Sequence, residues 1–431
     1  MIKCSFVCFL GIAMYGQVYL ADKKADGDPG LDNMRGLYSV AVSPDQRSVY
    51  VAGSLDNGLT VFSQNSFSGA LTFVESWVDG MGGVTSLAAV RGVAISPDGL
   101  FVYTAALTDS AVTVFSRNPN TGQLTFVQAI FDLDTGGSFD GLGGAMDLTI
   151  SPDGLHLYAA ARSDDAVVAF SRNTMMGTLA LISVYSNNSG PGFGMDAPER
   201  LQLSPDGQHL YVIAEQSQSI VSFSRDEMSG ELGFLGTYYD GQGGVDGLGC
   251  ASDLAISPDG LNVYAVGQYG AGGSSCATGF DDWLGIFARD LDTGSLTFLA
   301  TVDPASLNFP IGCGGVASGN GVTLSADGKR LYATIGWLGG FVAMDRNPAS
   351  GLLSLNAIEC TDFVNPAPLD LISAHRMAHD GSGKRFYVSA LSPGTVLVYE
   401  NDPYHQFRTG VGTWPNPNLL VLIDYLLQIE P

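Results

Sequence analysis

The corner Ser-Pro-Asp-Gly recurs down this chain at nearly constant spacing, and nothing else in the sequence limits the fold as strongly. It stands intact at Ser96–Gly99, Ser151–Gly154, Ser204–Gly207 and Ser257–Gly260. Variants are Ser43-Pro44-Asp45-Gln46, Ser325-Ala326-Asp327-Gly328 and Asp380-Gly381-Ser382-Gly383. Successive copies start 53, 55, 53, 53, 68 and 55 residues apart. Seven copies at one period in 431 residues describe a repeat architecture, not a string of independent domains.

Each copy holds four strand-like pieces, which in the second are Gly92–Ile95, Phe101–Ala105, Val112–Ser116 and Leu124–Gln128. β-Branched and aromatic residues fill them, while Gly, Pro, Asn and Asp separate them. Proline presets the first corner and glycine supplies its permissive backbone; Asn118–Gly122 makes a second corner. Four antiparallel strands in each of seven copies predict an all-β, seven-bladed β-propeller. Strand parity puts both corners of every blade on one face, the bottom. The loops between the second and third strands, and those leading to the next blade, then lie on top. Bottom corners are uniform and top loops vary, so a binding site is expected on top.

The parsing is residues 1–21 as a signal peptide, 22–36 as an N-terminal segment, 37–414 as the propeller and 415–431 as an apolar tail. Lys3 followed by the apolar stretch Cys4–Leu20 has the make-up of a secretory leader, with cleavage expected near Ala21. Export would make the mature protein extracytoplasmic, without a transmembrane span. Four cysteines then remain, Cys250, Cys276, Cys313 and Cys360, an even number that favours two disulfides of open connectivity. All four fall in or beside top loops, Cys276 within an insertion around Ala271–Asp282 of the fifth blade. The fourth strand of the seventh blade is not evident. Asp402–Trp414 could supply it, or a segment before Leu37 could close the ring from the other end. Asn418–Glu430 reads as an apolar helix lying against the propeller.

With 43 acidic against 19 basic residues, the chain has a formal charge of −24, which opposes phosphate backbones and makes nucleic acid an unsuitable partner. The expected partner is a small molecule, such as a sugar lactone or carbohydrate, or a protein, and the expected state is a monomer. Four and five residues ahead of each bottom corner, apolar patterning gives way to polar groups. There stand Tyr38 and Ser39, Arg91 and Gly92, Met146 and Asp147, Glu199 and Arg200, Ser252 and Asp253, Asn320 and Gly321, and His375 and Arg376, of which Arg91, Asp147, Glu199, Arg200, Asp253, Asn320, His375 and Arg376 are the binding candidates. They begin the innermost strands and so should ring the upper mouth of the axial channel as a ligand-binding constellation. Equally, the arginines and acids could pair with one another and plug the tunnel. Glu199 and His375 are the candidate catalytic bases, with Arg200 or Arg376 to steady negative charge.

Other groups have plainer readings. Arg117, Arg172, Arg225, Arg289 and Arg346 recur at one bottom position and should hold blades together. His156 and His209 follow bottom corners and are expected at the surface. Trp283 and Trp337 fall in neighbouring top loops, where packing is expected over exposure. No zinc spacing is present, so no metal is assigned and no cofactor expected. Calcium is the one cation the top loops could serve, through Asp56, Asp79, Asp109, Asp140, Asp164, Asp165 and Asp240.

The phrases SPDGLFVYTAALTDSAVTVFSRNPNTGQLTFV and SPDGLHLYAAARSDDAVVAFSRN resemble the lactonase-type seven-bladed propellers, which include bacterial 6-phosphogluconolactonase and fungal carboxymuconate cyclase. The resemblance runs from Leu37 to Glu400. It implies a pocket at one end of the channel, lined by Arg, His and acidic side chains, and action on anionic lactones. The chain departs from it in carrying a leader and in lacking Pro-His pairs at the inner strands, with only Ala374-His375-Arg376 close. The reading that follows is an exported propeller binding a small ligand or partner through its top face and channel. An extracytoplasmic lactonase is the alternative, and a surface adhesion or matrix module a third.

Overall fold

Every copy of the repeat folds into one antiparallel sheet. In the second, β6 (Val90–Ile95), β7 (Phe101–Ala106), β8 (Ala111–Arg117) and β9 (Leu124–Phe131) pair in sequence order. This is a computed structural model; it describes residues 18–401, apart from 134–135, 188–192, 268–282, 303–318, 335–339, 361–372 and 393. Among the described residues there are 28 strands in seven four-stranded sheets, the predicted propeller. The insertion around Ala271–Asp282, Cys276, Cys313, Trp337 and the tail lie outside the described residues.

The corner explains itself locally. Ser96 Oγ donates to Asp98 Oδ1 (2.5 Å) and accepts from the Phe101 N–H (3.0 Å), while Asp98 also accepts from the Leu100 N–H (2.8 Å). Gly99 closes the turn at φ 70°, a left-handed conformation that costs a side-chain-bearing residue about 1–2 kcal/mol. In the first blade Gln46 holds that conformation, at φ 58°.

The core lies between blades. Each of seven buried clusters draws on two adjacent sheets; one joins Tyr50 and Val61 of the first blade to Val93 and Phe115 of the second. The cluster between the seventh and first blades joins Tyr387 and Val398 to Leu37 and Phe62. The ring is closed by the N-terminal segment: β1 (Val18–Ala25) runs antiparallel to β28 (Thr395–Asn401) as the outer strand of the seventh blade. Ala21, where cleavage is expected, sits inside this strand at a bulge between Leu20 and Asp22. A chain beginning at Asp22 would keep the pairs Asp22–Val398 to Ala25–Thr395.

The recurrent bottom arginines are staples. Arg172 reaches back to the preceding blade, giving Nη2 to Asp98 (2.7 Å) and Nε to the Tyr103 hydroxyl (2.6 Å), while Nη1 caps the Gly154 carbonyl (2.9 Å). Arg117–Asp45, Arg225–Asp153, Arg289–Asp206 and Arg346–Asp259 repeat the pairing. Every staple guanidinium is buried. Where the seventh blade meets the first, both halves change together. Ser382 stands at the aspartate position, Gln64 stands at the arginine position, and Gln64 bonds the Tyr387 hydroxyl.

His156 and His209 correct a sequence expectation: both are 3% exposed rather than at the surface. Their Nδ1 atoms accept from Arg225 and Arg289 (2.7 Å each), so they extend the staple between blades. Burial and the adjacent guanidinium hold both imidazoles below their ordinary pKa, hence neutral. The sequence shows the position after the corner but not that neighbouring blades bury it.

Three outcomes follow for stability. Arg172→Ala removes the cation beside Asp98 and the donor to the Tyr103 hydroxyl, which keeps its bond to the Gly177 carbonyl; because Asp98 keeps 32% side-chain exposure, we expect a loss of about 2–3 kcal/mol in urea titrations. Gln46→Gly should add about 1 kcal/mol by relieving the left-handed corner, read as a raised urea midpoint. Burial pushes Asp45, Asp98, Asp153, Asp206 and Asp259 up, but hydrogen bonds from serine, backbone and arginine outweigh it, so all five lie below the ordinary carboxylate value. Their contribution is therefore complete above about pH 4 and lost as pH falls through the depressed values. Unfolding free energy that stays flat from pH 5 to pH 2.5 would contradict this.

Candidate functional site

The inner strands do not enter the channel as regular strands. In six of the seven inner pairs the register slips at the upper end; the pair formed by Val322–Leu324 and Arg330–Thr334 runs in unbroken register. Tyr38, Arg91, Met146, Glu199 and Ser252 are extra residues at the starts of β2 (Leu37–Val42), β6, β10 (Ala145–Ile150), β14 (Pro198–Leu203) and β18 (Ala251–Ile256). In β26 (Ala374–His379) the slip takes in His375 and Arg376 together. A bulge breaks the alternation of side chains, so two successive residues can be aimed at one place. The residue ahead of each slipped strand takes a left-handed backbone, at Gly36, Ala89, Gly144, Ala197, Cys250 and Ser373. Four of these six are not glycine, which means the turn into the channel is held by its surroundings.

Two tiers result. The deeper one is a chain of ion pairs across the axis: Arg200 binds Asp147 (3.0 Å) and Asp253 (2.9 Å), and Asp253 binds Arg376 (3.1 Å). Arg376 also donates to the Ser252 carbonyl (2.8 Å) and the Asn320 carbonyl (3.2 Å). Backbone N–H groups of Leu201 and Val322 satisfy the far oxygens of Asp147 and Asp253. Burial raises the pKa of Asp147 against the pull of Arg200 and Arg376, whereas its two carboxylates keep Arg200 above its ordinary value despite burial. Beneath lies a cavity of about 320 Å³ whose walls include Val40, Leu148, Leu254 and Gln202, reaching down to His379. The pairing anticipated between arginines and acids is thus present for Asp147, Arg200, Asp253 and Arg376.

The shallower tier gathers Tyr38, Arg91 and His375. The Tyr38 ring lies 3.9 Å from the imidazole centroid, with the Arg91 guanidinium 4.3 Å from the Tyr38 ring. His375 Nδ1 lies 3.2 Å from the Tyr38 carbonyl oxygen. A carbonyl only accepts, so Nδ1 carries the proton and Nε2 keeps its lone pair. Burial, then Arg376 and Arg91, hold His375 well below its ordinary value, so the ring is neutral at pH 7. Among the described residues, Arg91 makes one weak hydrogen bond, to Met146 Sδ (3.4 Å), its Nε is buried without a hydrogen-bond partner, and it has no ion pair.

The remaining candidates lie apart from these tiers. Glu199 turns to Arg162, which also binds Glu215, so its carboxylate is already engaged. The Asn320 side chain donates to the Ala374 carbonyl (3.2 Å) and fastens one blade to the next. Cys250 is buried at the entry to β18 and Cys360 ends β25 (Leu353–Cys360), both at the top. Trp283 is 1% exposed and belongs to the core. Most top-loop acids pin backbone: Asp79 accepts from Leu87, Asp109 from Ala88, Asp240 from Leu248, Asp56 from Arg35 and Asp165 from Ala197. Asp140 and Asp164 meet Asp132, with one oxygen of each within 4.8 Å of the others. Asp164 accepts from Gly143, and Asp132 from Gly141 and Leu142, so this trio also organises its loop.

Arg162 is the participant that the sequence does not single out; Tyr38 stands in the expected ring of strand starts but is not among the ligand-binding candidates. Tyr38 occupies the repeat position of Arg91, Glu199 and His375, and that shared position was the available signal.

With this geometry in view, the comparisons are informative. A family model described as lactonase, 7-bladed beta-propeller, matches residues 23–139 and 130–246. The chain is 28% identical over 230 residues to a 6-phosphogluconolactonase of Klebsiella pneumoniae, covering 51% of this chain and 63% of that protein. The match therefore spans less than two thirds of that relative's length. In the fold, a putative 6-phosphogluconolactonase of Bacteroides uniformis superposes with a TM-score of 0.56 at 21% identity, covering 73% of this chain and 82% of that one. A periplasmic gluconolactonase of Pseudomonas aeruginosa gives 0.56 at 19% identity, covering 76% and 87%.

The deeper tier makes its own prediction. Arg200→Ala leaves Asp147 without its guanidinium partner while Asp253 retains Arg376. We expect about 3 kcal/mol less stability at pH 7, partly regained at pH 5 as Asp147 takes up a proton. A loss of equal size at both pH values would contradict it.

Proposed function

Since the chain belongs to the lactonase family of seven-bladed β-propellers, we propose that it hydrolyses the lactone of a sugar acid at the upper mouth of its axial channel. The observation that carries this reading is a neutral imidazole, with Nε2 as its acceptor, held among the guanidinium groups of Arg91, Arg376 and Arg200. The similarity to a 6-phosphogluconolactonase adds the substrate class.

His375 Nε2 takes a proton from water as the water oxygen bonds to the lactone carbonyl carbon. The carbonyl oxygen becomes an oxyanion, for which Arg376 supplies nearby positive charge. Collapse re-forms the C=O bond and breaks the bond to the ring oxygen, which leaves with the proton returned by the imidazolium. The product is an open hydroxy acid. An imidazolium among three arginines is a strong acid, which favours that return. Arg91, which has no carboxylate partner among the described residues, would meet an anionic group of the substrate, such as a phosphate. His375 is preferred to Glu199 as base because Glu199 is held by Arg162. We place the activity outside the cytoplasm, a reading supported by the apolar stretch Cys4–Leu20 behind Lys3.

A site that binds without turnover is the second reading. It is favoured by one observation: no carboxylate among the described residues partners His375.

The assay is hydrolysis of 6-phosphogluconolactone and glucono-δ-lactone by purified protein, corrected for spontaneous opening. We expect turnover that His375→Gln lowers about 100-fold or more, and an Arg91→Ala variant whose KM rises about tenfold for the phosphorylated lactone alone. Because His375 is held below its ordinary value, activity should persist below pH 6.5. Tight binding of lactones by a protein that does not turn them over would establish the second reading instead.

A further inference from the structure

Tyr38 touches both unusual members of the upper tier through different atoms. Its ring lies against the His375 imidazole and beneath the Arg91 guanidinium, and its main-chain oxygen faces His375 Nδ1. As the extra residue at the start of β2, it is released from the alternation that would place its ring between blades. The same position holds Met146 and Ser252 in the third and fifth blades, so the scaffold does not call for an aromatic there.

The charged groups around His375 sharpen the question. Arg376 lies beside it on β26, Arg91 comes from β6, and Arg200 comes from β14 behind the ion-pair chain. All are cations. Among the described residues, Tyr38 is the neutral group that offers the imidazole both a ring face and a hydrogen-bond acceptor. An arginine face over an aromatic ring is favourable, and here it also holds a guanidinium that has no acid partner among the described residues.

We infer that Tyr38 is a positioning residue: ring and carbonyl together hold His375 with Nε2 as the acceptor and keep Arg91 beside it. The inference rests on the proposed hydrolysis for its kinetic consequence, but not for its structural one. The phenol hydroxyl takes part in neither contact, so the aromatic face is what matters.

The experiment is nitrogen-15 NMR of histidine-labelled protein from pH 4 to pH 8, with His375 assigned by its loss in His375→Gln. Wild type and Tyr38→Phe should both show the Nδ1–H tautomer and a titration midpoint below 6.5. Tyr38→Ala should admit water, mix the tautomers and move the midpoint up towards 6.5. Tyr38→Met, which keeps bulk without an aromatic face, serves if the alanine variant does not fold, with the same result expected. In the lactone assay Tyr38→Phe should stay within about twofold, while Tyr38→Ala or Tyr38→Met lowers kcat about tenfold. Unchanged tautomer and midpoint in Tyr38→Ala or Tyr38→Met would overturn the inference. If wild type hydrolyses no lactone, the proposed function fails, and the NMR result still decides the role of Tyr38.

Discussion

Neither face of any blade can be left to water. Each sheet is apolar on both sides, and each buried cluster is completed by the next blade. The fold therefore depends on contact between neighbours, and the ring must close for the last blade to bury its second face. Closure falls to an N-terminal strand that zips against β28, placing the two ends of the propeller in one sheet. The arginine staples act at the same junctions. They satisfy buried tyrosine hydroxyls and glycine carbonyls at the bottom, where the regular corners stack around the ring.

This division of labour explains why chemistry collects at the top. The bottom is fully engaged in joining blades, so substitution there costs stability. At the top the inner strands slip by a residue, and at Tyr38, Arg91 and His375 the slip frees a side chain for the site. Six described slips around one axis produce a tiered arrangement: an ion-pair chain deep in the channel, and above it a neutral base beside a guanidinium that has no acid partner among the described residues. The ion pairs span the axis at the head of the lower cavity, which Asp147 and Arg200 help to line. Most of the top-loop acids accept backbone N–H groups, which gives those loops order without a core of their own.

Much of this was legible from residues alone, and the reasons are local. Ser-Pro-Asp-Gly writes its own turn, because serine, aspartate and glycine satisfy one another within a few residues. Seven such turns at one spacing fix strand number, sheet order and the faces on which loops fall. The recurrence of Arg172 and its equivalents marked them as structural, since a group repeated in five blades serves what the blades share. Arg200, Asp253 and Arg376 could be picked out because charge at the start of an apolar inner strand is costly unless it is partnered.

What the sequence could not supply is whatever depends on the partner across a blade boundary. His156 looks solvent-facing beside its own corner, and only the neighbouring blade buries it against Arg225. Glu199 and Arg200 are adjacent and equally polar, yet one meets Arg162 and the other the axial ion pairs, because Glu199 is the extra residue of the slip in β14 and Arg200 is back in register opposite Ile213. Tyr38 is an unremarkable residue until β2 and β26 come together 337 positions apart in the chain. Local hydrogen bonding and periodicity determined the propeller. The contents of its mouth were decided by which residues the closed ring brings to one axis, because backbone register across blades is set by packing and not by any single repeat.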